Sequence, residues 1–447
     1  MANDPITDSL DVAALARRLV IWRRRFHARP EPGWCEFWTC AELARELTAL
    51  GWTVRVGEEL GDGSGRMGLP SREALRDARR RAGERLGDLP GADSAILRRM
   101  GACTGLVADI APVGAPSGAP PAVALRCDMD ALPVPESADA GHRPAREGFA
   151  SRTPGVSHAC GHDGHMAILL GAAALVAADA RAGRLRAPAR LLCQPAEEGV
   201  RGAAYLIPHV AGVPVLLCGH IGLGAPADTL ICGVSGGLAT TKFDVEFVGR
   251  EAHAAHPEAG RDALLGAARA VLGLHALTAG APASARVSVG TCRAGVTRNV
   301  IAGRALLECE TRGCPDEVDA ALMAGARAVV ARAAAEYGLE TRLTVRGHTG
   351  CLDSDASLAR EVAALAAGME ADLPRFATIV PEGAMPASED AAALMREVRA
   401  HGGRAVYMLF GSRLAGGHHT ATFDFEEDLL VEAALVLARA VRVLGAR

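Results

Sequence analysis

The chain has 447 residues, 49% hydrophobic and 22% charged, the make-up of a globular protein with a sizeable core and a length suited to about three ordinary domains. Its net charge of -4 gives no electrostatic reason to expect nucleic acid or an anionic membrane as a partner. Of the 48 basic residues only Lys242 is a lysine; it stands in TTKFD, which excludes a Gly-Lys-Ser/Thr phosphate loop and leaves Schiff-base chemistry one candidate in a strand-like context.

The opening MANDPITDSL has neither a basic n-region nor an apolar h-region, so no secretory signal is expected. Leu10 to Phe26 carries apolar residues at helical spacing. Glu36 to Leu50 reads as a second helix, stopped by Gly51. Residues 57–100 are rich in Gly and Arg. Within them RDARRRAGERLG predicts an exposed helix whose charges form a solvated face. A long insertion of this kind can also contact a partner.

From about residue 105 a βα alternation begins. PAVALRCD (121–128), ARLLCQP (189–195), VPVLLCGH (213–220) and RAVYMLFG (404–411) read as strands, and Ala167 to Ala180 as a helix. Continuous apolar strands separated by helices predict a mainly parallel sheet covered on both faces. The most apolar run, Ala167 to Ala178, is too short to span a bilayer.

The pattern changes between 235 and 346. TKFDVEFVG alternates as a half-buried strand, and Gly260 to Thr278 is helical. ARVSVGTC and RALLECETRG are two more alternating strands. Pro315 to Tyr337 is helical, and LETRLTVRG is a last strand. The order β-α-β-β-α-β is a ferredoxin-like split βαβ sandwich. Gly233, Gly236 and Gly237 mark a hinge at its entry. The expected fold is therefore α/β, with a catalytic domain formed by 1–234 and 347–447 and an inserted α+β domain at 235–346. Twelve cysteines without a Cys-x-x-Cys pair argue against a zinc ribbon or a thioredoxin-like site. They predict reduced, buried thiols in a cytoplasmic protein.

Four segments could carry chemistry. His158-Ala-Cys160-Gly-His162-Asp163-Gly-His165 packs metal-competent groups into eight residues, although Asp163 could instead cap the following helix and the histidines could lie on the surface. Glu197 and Glu198 follow the strand ARLLCQ. Adjacent carboxylates suit divided labour, one on a metal and one handling a proton, but alone they could be an acidic turn. His220 follows PVLLC, and His418 and His419 follow AVYMLFG. Together with Asp128 and Asp130, all these groups fall just past the carboxyl ends of predicted strands, which form one crevice in an open α/β sheet. That shared rim makes a metal site the better reading.

The strings RCDMDALP, SHACGHDGHMA, QPAEEG, GREAHAAHPEAG, TRNVI, SED and GHHTATFDF occur in this order along nearly the whole chain. They resemble the M20 metallopeptidase superfamily, in the amidohydrolase branch that cleaves N-acyl amino acids. RMGLP (66–70), GHRPAREGFAS (141–151), ATTKFD (239–244) and AAEYG (334–338) resemble a subgroup that hydrolyses p-aminobenzoyl-glutamate or indole-3-acetyl-aspartate.

The resemblance implies a two-metal centre with Cys160, His162, Glu198, His220 and His419 as ligands. His419 is preferred to His418 because only His419 matches His-x-x-x-Phe, through Phe423. It implies Glu197 as general acid/base, and Asp128, Asp130 and Asp163 as carboxylates that orient histidines. His253 and Asn299 match positions that contact substrate, His253 from the opposite subunit; His256 is the offset alternative. Arg298 is a further candidate anion reader or an exposed strand-edge arginine. The inserted domain is expected to dimerise, giving a homodimer or a heteromer with a homologous second subunit. Manganese is the expected ion, and zinc is the alternative because a thiolate suits it. Rival readings are hippurate-like or other N-acyl amino acid hydrolysis, peptide cleavage, and, in another class, a non-catalytic partner subunit or binding protein.

Overall fold

The computed structural model describes residues 11–87, 94–116, 118–385 and 387–446, so Leu10 lies outside the described residues. The first helix runs Val12–His27. The Asp11 side chain accepts the N–H groups of Ala13 and Ala14 at its start, and Leu15, Leu19, Trp22 and Phe26 recur on its buried face. The second helix, Phe37–Ala49, also lies where the periodicity places it. The Arg-rich segment forms the helix Arg72–Leu86, in which only Ala78, Ala82 and Leu86 are buried and the rest is exposed or half-buried.

Eight strands form the main sheet. In spatial order they are Thr53–Val56, Leu106–Ile110, Ala189–Gln194, Val123–Asp128, Val215–Ile221, Arg404–Phe410, Thr229–Ile231 and Thr378–Val380. The four central strands, from Ala189–Gln194 to Arg404–Phe410, run parallel. Antiparallel pairings join Leu106–Ile110, Thr53–Val56 and Thr229–Ile231 to them, and Thr378–Val380 pairs parallel with Thr229–Ile231 at the edge. Alternate residues of the central strands enter two different cores. Leu191, Leu217, Val406 and Met408 face one core, and Leu192, Leu216, Tyr407 and Leu409 face the other.

The predicted helix at Ala167 to Ala180 is part of a longer one, His162–Arg181. Its length and apolarity would suffice for a membrane span, but every residue before Arg181 is buried inside the protein. Helices Val12–His27 and Leu429–Leu444 pack directly on it. The apolar character is that of a core helix.

A separate four-stranded antiparallel sheet has the order Arg286–Ala294, Arg304–Gly313, Ala239–Val248, Glu340–Thr349. Helices Ala263–His275 and Asp316–Glu336 pack on one face, through Phe243, Val245, Phe247 and Leu307. The chain order is β-α-β-β-α-β, as the alternation predicts. The chain enters this unit after the strand Val234–Gly237 and returns through Leu352–Asp353. These two pair antiparallel, so both crossings lie side by side.

Gly171 lets the helix His162–Arg181 approach both neighbours closely. A Cβ there would stand 2.7 Å from Leu19 Cδ2 and 2.9 Å from Ala434 Cβ. Gly171→Val should destabilise the fold by about 1–3 kcal/mol through overpacking. Thermal unfolding with an unchanged midpoint would contradict this packing.

Candidate two-metal active site

The four central parallel strands deliver the predicted groups to one rim. Asp128 ends its strand, Glu197 and Glu198 follow Gln194 in the next turn, His220 lies near the end of Val215–Ile221, and His418 and His419 follow Arg404–Phe410. Gly161, at φ 95°, turns the chain between Cys160 and the first residue of the helix His162–Arg181. Only a left-handed residue makes that turn cheaply, and it lets Cys160 and His162 converge. His158, His162 and His165 are all buried, which excludes the surface reading.

Cys160, Glu197, Glu198, His220, Lys242, Arg312, Ser388, Glu389, His418 and His419 are among the residues lining one cavity of about 230 Å³. Cys160 Sγ lies 3.4 Å from His220 Nε2. His419 Nε2 lies 3.4 Å from Glu198 Oε1, and His162 Nε2 lies 3.9 Å from Glu197 Oε2. Ligand atoms of Cys160, His162 and His220 all fall within 4.8 Å of one another, as do those of Cys160, Glu198 and His419.

Hydrogen bonds at the far side of each ring select the donor atom. His162 Nδ1 donates to the Asp130 carbonyl at 2.7 Å, and His220 Nδ1 donates to the Ile221 carbonyl at 2.7 Å. A carbonyl only accepts, so each Nε2 keeps its lone pair toward the cavity. His162 Nε2 and Glu198 Oε1 are buried without any hydrogen-bond partner. Orphaned buried acceptors are costly unless something else occupies them. The donor set of one thiol, three imidazoles and a carboxylate fits two divalent cations. Burial, then Glu198, pushes the Cys160 thiol well above its ordinary value, so a cation is what would make it a thiolate ligand.

The turn bearing the two glutamates is strained and firmly held. Ala196 and Val200 have φ of 51° and 53°, and His419 has 63°. Glu36 accepts the Ala196 N–H at 2.8 Å. Asp130 accepts those of Glu197 and Glu198 at 3.0 and 3.1 Å. Asp390 accepts those of Gly202 and Ala203, both at 2.9 Å. Burial, with Glu389, Glu198 and Asp390 nearby, pushes the Glu197 carboxyl well above its ordinary value.

Some expected contacts differ. Asp128 holds His165, at 2.6 Å, rather than hydrogen-bonding a histidine of the ligand set; His162 Nε2 is 3.8 Å away. Asp130 hydrogen-bonds the glutamate turn with its carboxylate and His162 Nδ1 with its carbonyl, and its Oδ1 also lies 3.5 Å from His162 Nδ1. Asp163 neither caps the helix nor orients a cavity histidine. It points away from the cavity, because helix neighbours lie about 100° apart, and binds Arg23 and His27, each at 2.8 Å. His253, Arg298 and Asn299 are exposed on the inserted unit, and none lines this cavity within one chain. His253 Nδ1 only accepts the nearby Ala255 N–H.

The floor is formed by Asp128 together with residues to which the motifs assign no role, Arg126, Gln194, Glu389 and Asp390. Arg126 is fully buried. It donates to Gln194 and Asp128 at 2.9 Å, to Glu389 at 3.0 Å and to Asp390 at 3.3 Å. Glu389 also accepts the Tyr407 hydroxyl. Burial and Glu389 push Asp390 up to about 7 against the pull of Arg126. The available signal was an arginine inside the otherwise apolar stretch VALRC, where a charge needs a buried partner. Arg126→Met should cost about 3–5 kcal/mol by leaving buried carboxylates uncompensated. A denaturant midpoint unmoved from wild type would contradict that role.

Comparison with known proteins agrees with this geometry. Residues 124–443 match the model of peptidase family M20/M25/M40. The chain is 42% identical over 434 residues to the indole-3-acetyl-aspartic acid hydrolase of Enterobacter agglomerans, covering 96% of each chain. It is also 42% identical over 435 residues to one of the subunits of the p-aminobenzoyl-glutamate hydrolase of Escherichia coli K12, again covering 96% of each. The crystal structure of the aminobenzoyl-glutamate utilization protein from Klebsiella pneumoniae superposes with a TM-score of 0.78 at 36% identity, covering 96% of both chains. A Bacillus subtilis structure described as a dinuclear metal binding peptidase of the M20 family shares the fold, with a TM-score of 0.62 at 23% identity over 96% of this chain and 98% of that one. The chain belongs to peptidase family M20/M25/M40 and is a metal-dependent amidohydrolase.

Proposed function

We propose that the chain hydrolyses the amide bond joining an aromatic acyl group to an acidic amino acid, with p-aminobenzoyl-glutamate as the first substrate and indole-3-acetyl-aspartate as the second. One observation carries this reading. The cavity gathers Cys160, Glu197, Glu198, His220 and His419 in a chain 42% identical, over nearly its full length, to hydrolases named for those two substrates.

Cys160, His162, Glu198, His220 and His419 would hold two divalent ions. Bound there, the ions supply Lewis-acid polarisation of a water and of the amide carbonyl. Manganese suits the carboxylate and imidazoles, and the Cys160 thiolate makes zinc the competing ion. Glu197 has the position and environment of the proton carrier. Its Oε2 takes a proton from the attacking water and returns it to the leaving amino group.

A homodimer supplies what one chain lacks. Leu264, Leu265 and Leu272 are 46%, 45% and 69% exposed on the outer side of the helix Ala263–His275. The neighbouring strand Arg286–Ala294 is an unpaired sheet edge. Exposed apolar residues beside an open edge favour association with another copy. In this reading the partner's inserted unit brings His253, Asn299 and Arg298 to the substrate. A heteromer with a homologous second chain is the alternative, suggested by the Escherichia coli relative, whose name makes it one component of a larger enzyme. A cytoplasmic setting is consistent with twelve unpaired cysteines.

Glu197→Gln should lower turnover of p-aminobenzoyl-glutamate by about 10²–10⁴ while leaving the bound metal unchanged. Near-normal turnover would remove Glu197 as proton carrier. His253→Ala should also be nearly inactive. Co-expressed with the Glu197 variant, it should regain activity, because a mixed dimer holds one intact composite site. Absence of recovery in confirmed mixed dimers would remove the shared site.

A further inference from the structure

The one lysine of the chain lies in the active-site cavity. Lys242 and Arg312 both line it, and both come from the inserted unit's four-stranded sheet. Helices cover one face of that sheet through Phe243, Val245 and Leu307. Lys242, Glu310 and Arg312 occupy the opposite face, in the register Glu310↔Lys242 and Arg312↔Thr240. This is the end of the sheet next to the hinge, so it is the part of the open face that reaches the cavity.

The local charge is unbalanced. Lys242 Nζ lies 3.0 Å from Glu310 Oε2, and Arg312 Nε lies 3.0 Å from Glu310 Oε1. Two cations thus share one carboxylate. Farther along the same face, Arg346 answers Asp244 and Arg293 answers Glu308. Burial acts to raise the Glu310 carboxyl, but Arg312 and Lys242 outweigh it and keep it below its ordinary value. The cluster therefore carries a net positive charge. Lys242 and Arg312 are each 31% exposed, so their remaining donors are free to turn toward the cavity. Ser388 Oγ, which lines the same cavity, is buried without a hydrogen-bond partner.

Besides Cys160 and the histidines, the ionisable walls are Glu197, Glu198 and Glu389 on the catalytic side and Lys242 and Arg312 on the inserted unit. For a side-chain carboxylate lying beyond the ion centre, Lys242 and Arg312 are the cavity's lysine and arginine. We propose that Lys242 and Arg312, held apart and aimed by Glu310, bind the side-chain carboxylate of the amino-acid half of the substrate and set the preference for glutamate or aspartate over their amides. This assignment rests on the acyl-amino-acid hydrolase reading above and names the residues that select the acidic side chain. Ser388 is available as a neutral third donor. The inserted unit then does more than associate with a second copy: its own hinge end reads the substrate in the same chain.

The test compares p-aminobenzoyl-glutamate with p-aminobenzoyl-glutamine on the metal-loaded enzyme. Lys242→Met and Arg312→Met should each lower kcat/KM for the glutamate compound by roughly ten- to hundredfold, mostly through KM. The glutamine compound should change by less than about threefold, which also reports that each variant is folded. Lys242→Arg should retain most of the preference, because the charge survives. A parallel fall for both substrates would mean a structural role and overturn the proposal. An unchanged preference in both Met variants would overturn it while leaving the hydrolase reading intact. A wild-type enzyme that hydrolyses neither compound would overturn the hydrolase reading, and this proposal with it.

Discussion

One buried guanidinium holds the site together. Arg126 has no exposure to water, yet it meets Asp128, Glu389, Asp390 and Gln194 at once. The strand Val123–Asp128 puts Arg126 and Asp128 on the same face, two residues apart. Without that charge, three carboxylates would be buried beside Glu197 with nothing to offset their desolvation. With it, acidity is concentrated under the cavity, which is what a proton-carrying glutamate and a cationic metal pair both use.

From this floor the order of the rest follows outward. Asp390 links Arg126 to the glutamate turn by accepting two of its backbone N–H groups. Asp128 links it to His165, whose Nε2 accepts the Ile221 N–H beside His220. Strained φ values at Ala196, Val200 and His419 persist because their surroundings are over-determined. Rigid strand ends carry the chemistry. The inserted unit, joined by the paired crossings Val234–Gly237 and Leu352–Asp353, presents Lys242 and Arg312 to the same cavity.

Much of this was legible in the sequence, for local reasons. The β-α-β-β-α-β unit alternates cleanly because one face of its sheet is covered and the other is not. Cys160 with His162, and Glu197 with Glu198, are neighbours in sequence, so their spacing already carries the chemistry. The short outer strands Thr53–Val56, Thr229–Ile231 and Thr378–Val380 carry too few residues for a period to show. Arg126 and Glu389 are 263 positions apart, and no local pattern encodes that pairing. Asp163 was misplaced for a helical reason, since its neighbour His162 faces the cavity and it cannot. The place of Lys242 in the cavity is not legible, because the sequence does not show which end of the inserted sheet meets the catalytic rim.

Cys160, His162, Glu198, His220 and His419 of one chain are the residues that would hold the two ions needed for amide hydrolysis. Metal-free protein titrated with Mn²⁺ tests this most directly, with ion content and p-aminobenzoyl-glutamate turnover followed together. Turnover should be absent without metal and rise until two ions are bound per chain. Full activity in the metal-free protein, or none at full loading, would contradict it.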